Sequence, residues 1–468
     1  MEHKKEEDIS EWYNEVVELA GLCDKRYPVK GLNIWLPYGW KLMQLIDRKI
    51  REEFDRTMHS EVCFPLLIPE SEFQKEAEHI KGFSSQVFWV THAGDNPLDI
   101  KLVLRPTSET AMYSMFSIWI RSHADLPLKI YQIVNVFRYE TKQTRAFIRV
   151  REIHFFESHT CHANAEESES QIKEDIEIME NLGKAFALPY ILHKRPDWDK
   201  FAGAVYSLGA DLLVGEKALQ IGTIHQYHEN FARAYNIMYE DVDGSHKYVH
   251  QTTFGLSERL VGAIVGVHGD NSGLVLPPNI APYQIIIVPV PKKEKKEQIE
   301  DYAKSIFELL KNSGFRVHID LRDLRPGNKY YDWELKGVPL RIEVGIREME
   351  EEKLTLTRRD TREKKEVSKS NLVEEVKYAL ENIQKSLYEN AKKALEKNVH
   401  YVRTLEDAKN KPGIIRFHWC GGEDCGMEIE KYLDVSVLGI PVNEKLGAGR
   451  CIICGKETEI IADAGRSL

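Results

Sequence analysis

The sequence predicts an α+β domain built on an antiparallel sheet, followed by an α/β domain and then by a small α+β domain. Three observations lead to this fold class. Residues 129–162 form two strand-like runs joined by a charged loop, as in an antiparallel hairpin. After three prolines within residues 272–282, strand and helix patterns alternate β-α-β-α-β. Two pairs of closely spaced cysteines mark a last domain, so we expect domains at residues 1–280, 281–375 and 376–468.

Composition limits the class of protein. The chain has 468 residues, more than the ~250–300 that one hydrophobic core usually supports. No apolar run approaches the ~18 residues of a membrane span, and the polar N-terminus excludes a signal peptide. We therefore expect a cytoplasmic protein. The net charge of −10 argues against nucleic-acid binding through bulk charge, but it leaves room for a local basic surface.

The first elements are a capped helix, a long helix and a strand. Either Asp8 or Ser10 can cap the first helix. Residues 61–69 are predicted as a strand, and Pro65 places it at an edge or an interface because proline lacks a ladder donor. The long helix before this strand is indicated by helical spacing of Leu42, Ile46, Ile50 and Phe54.

The elements that follow complete the first domain. Residues 70–83 are predicted as a helix, residues 86–92 and 101–109 as strands, and Thr107 or Ser108 as the cap of the next helix. Beyond the hairpin, the span 163–251 contains 89 residues, which an acidic helix, three strands and a short helix already fill. We therefore expect no separate inserted domain there, because a domain needs about 100–150 residues.

The hairpin carries the first candidate site. In its first strand Arg138 and Glu140 share a face, which together with the second strand suits an anionic ligand carrying a planar base. The alternative is an amphipathic hairpin whose charged face is simply solvated. In the second strand, alternation places on one face Arg149, Arg151, Ile153, Phe155, Glu157 and His159.

A second candidate site lies at residues 255–266. Ser257 can cap a helix whose first turn presents Arg259, and Gly262 and Gly266 belong to a small-residue face that permits close packing on a sheet. The alternative is a tightly packed core helix with a snorkelling arginine.

These features together resemble the class II aminoacyl-tRNA synthetases. Phe137-Arg138-x-Glu140, a loop and then Arg149 resemble motif 2 of that family. The long helix and the strand with Pro65 resemble motif 1, which builds the dimer interface, and residues 255–266 resemble motif 3. The resemblance implies the class II synthetase fold for the first domain and a homodimer.

Further segments resemble the prolyl-tRNA synthetases of the archaeal and eukaryotic-like form. Residues 105–110 match the RPTSE segment of the prolyl- and threonyl-type subclass, and residues 155–160 are similar to the prolyl WQEGHT segment. Residues 220–225 resemble the QxGTSH segment, and residues 320–339 look like the anticodon-binding domain. A threonyl relative would need a metal-binding Cys/His set in its pocket, and no cysteine stands at the matching positions.

The resemblance implies activation of L-proline by ATP and transfer of the prolyl group to tRNA(Pro). It assigns catalysis to Arg138 at the α-phosphate and to Arg259 at the γ-phosphate, with Mg²⁺ bridging phosphates. Glu140 would read the adenine amino edge or steady the loop. The implied ATP-binding residues are Arg138, Glu140, Arg149, Ile153, Gln220, Thr223, Ser257 and Arg259. The implied proline-binding residues are Thr107, Glu109, Arg138, Phe155, Glu157, His159 and His225.

Three positions depart from the family pattern. Ile153 stands where the family usually has phenylalanine against adenine, and Phe155 stands where it has tryptophan against the proline ring. Apolar contact remains possible at both, although the shape of the pocket changes. Leu468 stands where related enzymes often end in tyrosine, and the sequence leaves open whether it approaches the active site.

The second and third domains carry their own predicted sites. Residues Cys420, Cys425, Cys451 and Cys454 have the paired spacing of a structural zinc site, the alternative being four free thiols. The basic residues of the second domain have two interpretations: a patch that positions RNA through its phosphates, or a charged face that is simply solvated. The residues proposed to contact the tRNA anticodon are Arg325, Lys329, Glu343 and Arg347.

Two rival functions stay open at this point. One is a catalytically dead synthetase-like protein that binds RNA or regulates a partner, although such a protein would be free to lose Arg138 and Arg259. The other is a class II synthetase for another small amino acid.

Overall fold

The computed structural model describes residues 2–75, 85–140, 143–290 and 293–468. The predicted helix at residues 70–83 begins at Glu70, and its second half lies outside the described residues. The α-helices are, in chain order, α1 (Ile9–Leu19), α2 (Pro37–Arg56), α3 (Glu70–Phe73), α4 (Glu109–Trp119), α5 (Ala165–Ala185), α6 (Asn230–Tyr235), α7 (Arg259–His268), α8 (Lys296–Asn312), α9 (Pro326–Leu335), α10 (Ile346–Glu350), α11 (Leu372–Lys397), α12 (Leu405–Ala408) and α13 (Glu423–Leu433).

The strands and short 3₁₀ helices complete the described elements. The 3₁₀ helices are His123–Asp125, Lys293–Lys295 and Lys369–Asn371. The strands are β1 (Cys23–Asp24), β2 (Ile34–Trp35), β3 (Ser60–Glu61), β4 (Leu67–Pro69), β5 (Phe88–Ala93), β6 (Asn96–Leu104), β7 (Leu128–Phe137), β8 (Glu152–His162), β9 (Ile191–Lys194), β10 (Tyr206–Val214), β11 (Lys217–His228), β12 (Met238–Glu240), β13 (His246–Tyr248), β14 (His250–Ser257), β15 (Ile285–Pro289), β16 (Val317–Ile319), β17 (Leu340–Val344), β18 (Lys353–Arg358), β19 (Lys364–Ser368), β20 (Val399–Tyr401), β21 (Ile414–His418), β22 (Ser436–Pro441), β23 (Gly449–Arg450), β24 (Glu457–Thr458) and β25 (Ile461–Gly465).

The predicted antiparallel sheet is confirmed. Its strand order is β20-β21-β25-β22-β9-β10-β11-β14-β8-β7-β3, and only the two outermost pairs, β3–β7 and β20–β21, are parallel. The predicted hairpin is β7–β8, near one edge of the sheet, in register from Leu128↔Cys161 to Phe137↔Glu152. Strand alternation buries Phe156 of β8 against Phe54 of α2, with the ring centroids 4.4 Å apart.

The expectations for the cap of α1 and for the glycines of α7 are confirmed, whereas the predicted cap Ser257 lies one residue before Glu258, the N-cap residue of α7. The carboxylate of Asp8 accepts hydrogen bonds from the backbone N–H groups of Ser10 and Glu11, so Asp8 is the cap of α1. A Cβ atom at Gly266 of α7 would lie 2.4 Å from Val214 Cγ1 on β10. Glycine at this position therefore allows α7 to pack closely on the sheet.

The prediction of one strand over residues 61–69 is wrong. The chain forms β3 and β4 on either side of Pro65, and they pair with different partners, β7 and β6. Proline cannot donate to a ladder, and the guanidinium of Arg105 donates instead to the carbonyls of Phe64 and Pro65 at 2.7 and 3.3 Å. The segment between the two strands is thus held by a buried arginine rather than by sheet pairing.

The second domain is the expected α/β unit. Its sheet has the order β16-β15-β17-β18-β19, with β15 parallel to β16 and β17 and the last strands antiparallel. It joins the first domain closely, because Leu274 N–H donates to the carbonyl of Leu335 over 2.9 Å. Arg359 also forms a bidentate pair with Asp270, just beyond α7.

The C-terminal domain continues the sheet of the first domain. Strand β22 pairs antiparallel with β9, with Ile440 opposite Lys194 and Pro441 opposite His193. Through β22, strands β25, β21 and β20 extend the sheet of the first domain beyond its own edge. The shared sheet was not predicted, because the cysteine spacing indicated only a separate domain.

The span 163–251 contains the elements that the sequence predicted. It holds α5, α6 and strands β9–β13, and of these only the hairpin β12–β13 lies outside the central sheet. Among the described residues, no helix combines the length and the apolar character that crossing a bilayer requires.

Candidate active site

One cavity of about 320 Å³ brings together every residue that the sequence analysis assigned to ATP or proline. It lies on strands β8, β11 and β14 and on the N-terminus of α7. The predicted residues that line it are Thr107, Glu109, Arg138, Glu140, Arg149, Ile153, Phe155, Glu157, His159, Gln220, Thr223, His225, Ser257 and Arg259. Lining residues that the sequence analysis did not single out include Gln86, Phe147, Arg195, Asp199, Phe201, Ser207, Thr253 and Glu258.

At one end of the cavity Glu109 is held by two hydroxyl groups. Thr107 Oγ1 donates to Glu109 Oε2 over 2.5 Å, and the hydroxyl of Tyr227 donates to Oε1 over 2.9 Å. Thr253 Oγ1 in turn donates to the Tyr227 hydroxyl over 3.0 Å. The carboxylate of Glu109 is buried. Because a carboxylate shielded from water is costly unless it accepts hydrogen bonds, these hydroxyl donors stabilise it.

Glu157 lies beside this group at the centre of a second network. It accepts hydrogen bonds from Ser108 through both the backbone N–H and the hydroxyl, and from Gln132 Nε2 at 2.9 Å. His159 Nε2 lies 3.2 Å from Glu157 Oε2, and its Nδ1 lies 3.0 Å from the hydroxyl of Tyr113. Burial alone would raise the pKa of Glu157, but the bonds from His159, Ser108 and Gln132 outweigh it and lower the pKa.

His225 forms an uncharged wall next to Glu109. Its Nδ1 lies 2.7 Å from the Ser207 hydroxyl, and its ring stacks on Phe201 with centroids 4.7 Å apart. Burial lowers the pKa of His225 to about 4, so the imidazole is neutral at physiological pH.

Three arginines, Arg138, Arg149 and Arg259, line the same cavity. Burial lowers the pKa of Arg138, although Glu109 and Glu157 oppose this effect. Burial, and then repulsion from Arg138 and Arg149, lowers the pKa of Arg259 to about 10. Because the three guanidinium groups are close enough to repel one another, an anionic ligand that enters the cavity would be attracted by all three.

Backbone carbonyls fix two of these guanidinium groups. Arg138 Nε donates to the carbonyl of Pro106 over 2.9 Å, and Arg259 Nε donates to that of Ile148 over 3.0 Å. Ser257 Oγ accepts from the Arg259 N–H at 3.3 Å, at the start of α7. The side chains are thus oriented before any ligand binds.

Arg149 reaches the cavity from a turn rather than from a strand. Strand β8 begins at Glu152, so the prediction that Arg149 and Arg151 belong to its alternation is wrong. A turn is closed by hydrogen bonds in both directions between Arg145 and Arg149, each 2.9 Å. Arg149 Nη1 lies 3.9 Å from a carboxylate oxygen of Glu140.

A β-bulge explains how Gln220 and Thr223 reach the same cavity. Strict alternation along β11 would place residues three apart on opposite faces. Across from β10 the register shifts, because Ala210 pairs with Gly222 but Asp211 pairs with Gln220. Ile221 is therefore the extra residue, and Gln220 and Thr223 both line the cavity.

The apolar part of the cavity has room for the ring of Phe155. A Cβ atom at Gly255 would lie 3.1 Å from Phe155 Cζ, so the glycine of this motif leaves space for the aromatic side chain. The Arg138 guanidinium lies 5.9 Å from the centroid of that ring. Ile153 lies two residues earlier on the same strand and also lines the cavity.

Glu258 is a buried carboxyl group that the sequence analysis passed over. Its Oε2 accepts the backbone N–H of His154 over 2.9 Å, and burial raises its pKa to about 8. The one feature of the sequence that could have identified Glu258 as a site residue was its position directly before Arg259. The carboxyl group beside the arginine is thus largely protonated near neutral pH, which leaves the charge of Arg259 available to a ligand.

In the second domain the predicted anticodon residues differ in their exposure. Arg325 and Arg347 are exposed, whereas Lys329 is buried and donates to the carbonyl of Asp320 over 2.9 Å. Glu343 is half-buried and accepts from Arg341 and Lys364 at 3.1 and 3.2 Å. A cavity of about 230 Å³ beside Glu343, which the sequence analysis missed, is lined by Trp333, Arg341, Arg358, Arg359, Arg362 and Lys364 among others.

The four predicted cysteine ligands lie together. Their sulfur atoms are all within 4.8 Å of one another, and a tetrahedral site with Zn–S bonds of about 2.3 Å needs sulfur atoms about 3.8 Å apart. Backbone N–H groups of Cys454 and Ile453 outweigh the effect of burial and lower the pKa of the Cys451 thiol. The donor set and its geometry therefore fit zinc.

Comparisons with known proteins agree with this geometry. Family models match residues 88–268 as "tRNA synthetase class II core domain (G, H, P, S and T)", residues 284–378 as "Anticodon binding domain" and residues 388–468 as "Prolyl-tRNA synthetase, C-terminal". The fold and the cavity thus define a class II aminoacyl-tRNA synthetase.

Relatives over the full length narrow the class to one family. A proline--tRNA ligase of Thermococcus kodakarensis is 59% identical, covering 100% of this chain and 99% of the relative. That of Pyrococcus abyssi is 57% identical, covering 98% of both chains. The solved Giardia lamblia prolyl-tRNA synthetase in complex with prolyl-adenylate matches with a TM-score of 0.95, 34% identity and 99% coverage of both chains. The chain belongs to the prolyl-tRNA synthetase family.

Proposed function

We propose that the cavity on β8, β11 and β14 carries out the two reactions of this family. In the first, L-proline and ATP give prolyl-adenylate and pyrophosphate. In the second, a ribose hydroxyl at the 3′ end of tRNA(Pro) takes the prolyl group and AMP leaves. The observation that carries the proposal is the single cavity that holds Arg138, Arg149 and Arg259 together with buried Glu109 and Glu157.

The first reaction needs cations more than it needs a base. A carboxylate oxygen of proline attacks the α-phosphorus, and the bond to the bridging oxygen of pyrophosphate breaks. Because the nucleophile is already an anion, no proton has to be removed. Negative charge grows on the phosphate oxygens, and preorganised donors aimed at such charge contribute most to catalysis. We assign Arg138 to the α-phosphate and the proline carboxylate, and Arg259 to the γ-phosphate.

The acidic end of the cavity suits the secondary ammonium group of proline. That cation needs acceptors in a desolvated pocket, and Glu109 with Thr107 is the candidate pair nearest to neutral His225. Glu157 and His159 are already bonded to one another, which supports a role in holding the pocket's shape beside Phe155.

The remaining predicted residues surround the nucleotide. Ile153 would contact the adenine, while Gln220, Thr223 and Ser257 offer polar groups to the ribose and phosphates. Glu140 lies within 3.9 Å of Arg149 and so would orient that arginine as well as the adenine edge. Mg²⁺ would be held chiefly by the phosphates, since it keeps few protein carboxylates in such sites. When bound it would neutralise phosphate charge.

The second domain would hold tRNA(Pro) through its basic residues. The cavity lined by Arg341, Arg358 and Lys364 offers guanidinium and ammonium donors next to the carboxylate of Glu343. Unstacked anticodon bases are read by such mixed donors and acceptors. We propose this cavity, with exposed Arg325 and Arg347 and with Glu343, as the anticodon site. Buried Lys329 would act by fixing the loop at Asp320.

We propose a structural zinc ion at Cys420, Cys425, Cys451 and Cys454. A set of four thiolates leaves no open coordination position, which is the pattern of structural rather than catalytic zinc. The ion would fix the segment that leads into β25, and β25 belongs to the shared sheet.

We propose a homodimer through the region of Pro65 and α2, as the family resemblance implies. An apolar patch there supports it: the exposed fractions are 38% for Leu66, 41% for Leu67 and 43% for Trp119. Trp119 packs on Phe64, with ring centroids 5.6 Å apart, so the patch is contiguous. Contiguous exposed apolar surface is typical of protein interfaces.

We also propose a cytoplasmic location, because an enzyme that charges tRNA for the ribosome would act in the cytoplasm.

Proline-dependent exchange of labelled pyrophosphate into ATP tests the proposal directly. We expect exchange that depends on proline. Alanine, glycine or threonine in place of proline should support only weak exchange. Absence of exchange with any amino acid would favour a catalytically dead relative. Exchange that is faster with another small amino acid would reassign the substrate.

A further inference from the structure

A row of buried charged residues runs along the substrate side of the sheet from the cavity into the C-terminal domain. His193 of β9 has Nδ1 2.7 Å from Asp211 Oδ2 and Nε2 3.0 Å from Asp463 Oδ2. Asp211 belongs to the catalytic sheet, and Asp463 belongs to β25 of the C-terminal domain. Both ring nitrogens face a carboxylate, so each must carry a proton and the imidazole is a cation.

The cavity end of this row is Arg195. Its Nη2 donates to Asp211 Oδ1 over 2.7 Å, and its Nη1 donates to the carbonyl of Leu438 over 2.8 Å. Leu438 lies on β22, so the guanidinium is clamped between the two domains. The residue is only 7% exposed, yet it lines the substrate cavity.

The backbone on both sides is shaped to receive this guanidinium. A Cβ atom at Gly209 would lie 2.2 Å from Arg195 Nη2, so only glycine leaves room for the group to lie flat on β10. On the other side, β22 has a bulge between Val437 and Gly439, and Gly439 has φ +121°. The bulge includes Leu438, whose carbonyl bonds Arg195.

The side chain of Arg195 leads to the nucleotide end of the cavity, although its backbone N–H donates to the carbonyl of Ser207, whose hydroxyl lies 2.7 Å from His225 Nδ1 at the proline end. Its partner Asp211 pairs directly with Gln220, at the bulge that presents Gln220 to the cavity. A second cavity of about 190 Å³ is lined by Arg195, Gln220, Arg149 and Arg259 together with residues 436–438 and Leu468. Glu109 and Glu157, in contrast, are held by hydrogen bonds that involve neither Arg195 nor Asp211.

We propose that Arg195 is a positioning residue for ATP, and that the C-terminal domain sets ATP affinity by holding Arg195 through Leu438 and Asp211 through Asp463 and His193. The C-terminal domain thus completes the wall of the nucleotide site instead of serving only as a separate module. The other charged groups that face the row are Asp199, whose carboxylate lies 4.0 Å from Arg195 Nε, Arg416, which donates to Asp463 at 2.7 and 2.8 Å, and Glu444, 3.4 Å from Arg416.

The test rests on the proposed function and uses the full-length zinc-bound protein. Pyrophosphate exchange is measured with ATP and proline varied separately for Arg195→Met, Arg195→Lys and the exposed control Arg403→Met in the C-terminal domain. Rates are normalised to active sites by the burst of adenylate. We expect Arg195→Met to raise the KM for ATP about 10-fold or more while the KM for proline changes less than about 2-fold. Arg195→Lys keeps the positive charge but loses the planar guanidinium with its several N–H donors, and we expect the KM for ATP to rise about 3-fold.

A second variant keeps the proposal testable if Arg195→Met does not fold. Asp463→Asn lies in the C-terminal domain, away from the cavity, and we expect a smaller rise in the ATP KM with the proline KM unchanged. Equal changes in both KM values, or a loss of active fraction with both KM values unchanged, would show a merely structural role and overturn the inference. Failure of the wild-type protein to exchange would instead overturn the proposed function.

Discussion

Tyr227 donates a hydrogen bond to Glu109 over 2.9 Å, and this contact joins two segments that are 118 residues apart at the acidic end of the cavity. Thr107 bonds the other carboxylate oxygen, so the direction of Glu109 is fixed from both sides. The pKa of the Tyr227 hydroxyl is raised far above its ordinary value by burial and by Glu109, so the group remains a donor. An acceptor held in this way is suited to a substrate cation.

Arg138→Ala is expected to lower proline-dependent pyrophosphate exchange by about 10²–10³ while the protein stays folded. The reason is that the Pro106 carbonyl fixes the guanidinium of Arg138, which we propose to bind the α-phosphate where negative charge develops. The matched control is Arg233→Ala, whose side chain is 62% exposed on α6. Near wild-type exchange by Arg138→Ala would refute the assignment of the α-phosphate site.

About one tightly held zinc ion per chain is expected, since the four cysteine sulfur atoms lie within 4.8 Å of one another. Cys451→Ser should remove most of the zinc and lower the thermal midpoint. Cys63→Ser changes an exposed cysteine outside the cluster and should leave the zinc content unchanged. Elemental analysis of the purified proteins decides the matter, and a wild-type protein without zinc would contradict the site.

Trp119→Glu is expected to convert a homodimer into a monomer, because it places a charge in the apolar patch next to Phe64. Sedimentation velocity at assay concentration measures the change. Tyr378→Glu alters a 63% exposed aromatic residue on α11 and should leave the dimer intact. A wild-type protein that is an active monomer would rule out the proposed interface.

Alanine and cysteine are expected to be activated measurably, and Ala-tRNA(Pro) should not be hydrolysed by this chain. A pocket shaped for proline cannot exclude smaller molecules, and a missing methylene is worth only about 1–3 kcal/mol of discrimination. The span 163–251 is occupied by α5, α6 and β9–β13, which leaves no separate editing domain there. Incubating Ala-tRNA(Pro) with and without the enzyme measures deacylation. Rapid enzyme-dependent hydrolysis would reveal an editing site elsewhere.

The stability that buried neutral histidines contribute is expected to fall as the pH is lowered from about 6.5 toward 4. Burial lowers the pKa of His162 and of His225 to about 4, from an unfolded value near 6.5. Between these values each of these histidines binds more protons in the unfolded chain than in the folded chain, so its contribution is full above pH 6.5 and is lost as the pH falls. The loss is on the order of 1–3 kcal/mol for each histidine.

Urea midpoints at pH 7.5 and pH 5 measure this effect. His162→Gln should reduce the difference between the two midpoints, because it removes one buried group that must stay neutral. The exposed His246→Gln is the control and should not change the difference. An unchanged pH dependence in His162→Gln would contradict the prediction.

Much of the site could be predicted because its residues fall in short contiguous motifs. Arg138 and Glu140 were predicted on the first strand but follow directly after β7, which ends at Phe137. Glu157 and His159 alternate on β8 as predicted, so local geometry places each pair together. The fold class followed in the same way from strand alternation and helical spacing. Arg149 was found through its motif although its predicted strand was wrong, since a turn brings it to the same cavity.

The sequence by itself determined the identity of the chemical groups, because charge, hydrogen-bonding capacity and metal affinity are properties of single residues and short spacings. Only the tertiary structure decided which distant groups meet them. Tyr227 on β11 reaches Glu109 at the start of α4, and Asp463 on β25 reaches His193 on β9 across 270 residues, because the fold gathers segments that are far apart in the chain around one sheet. The bulge at Ile221 likewise depends on pairing with β10, which no local pattern encodes. Register and strand order are set by packing of the whole core, so these contacts appear only when the chain is folded.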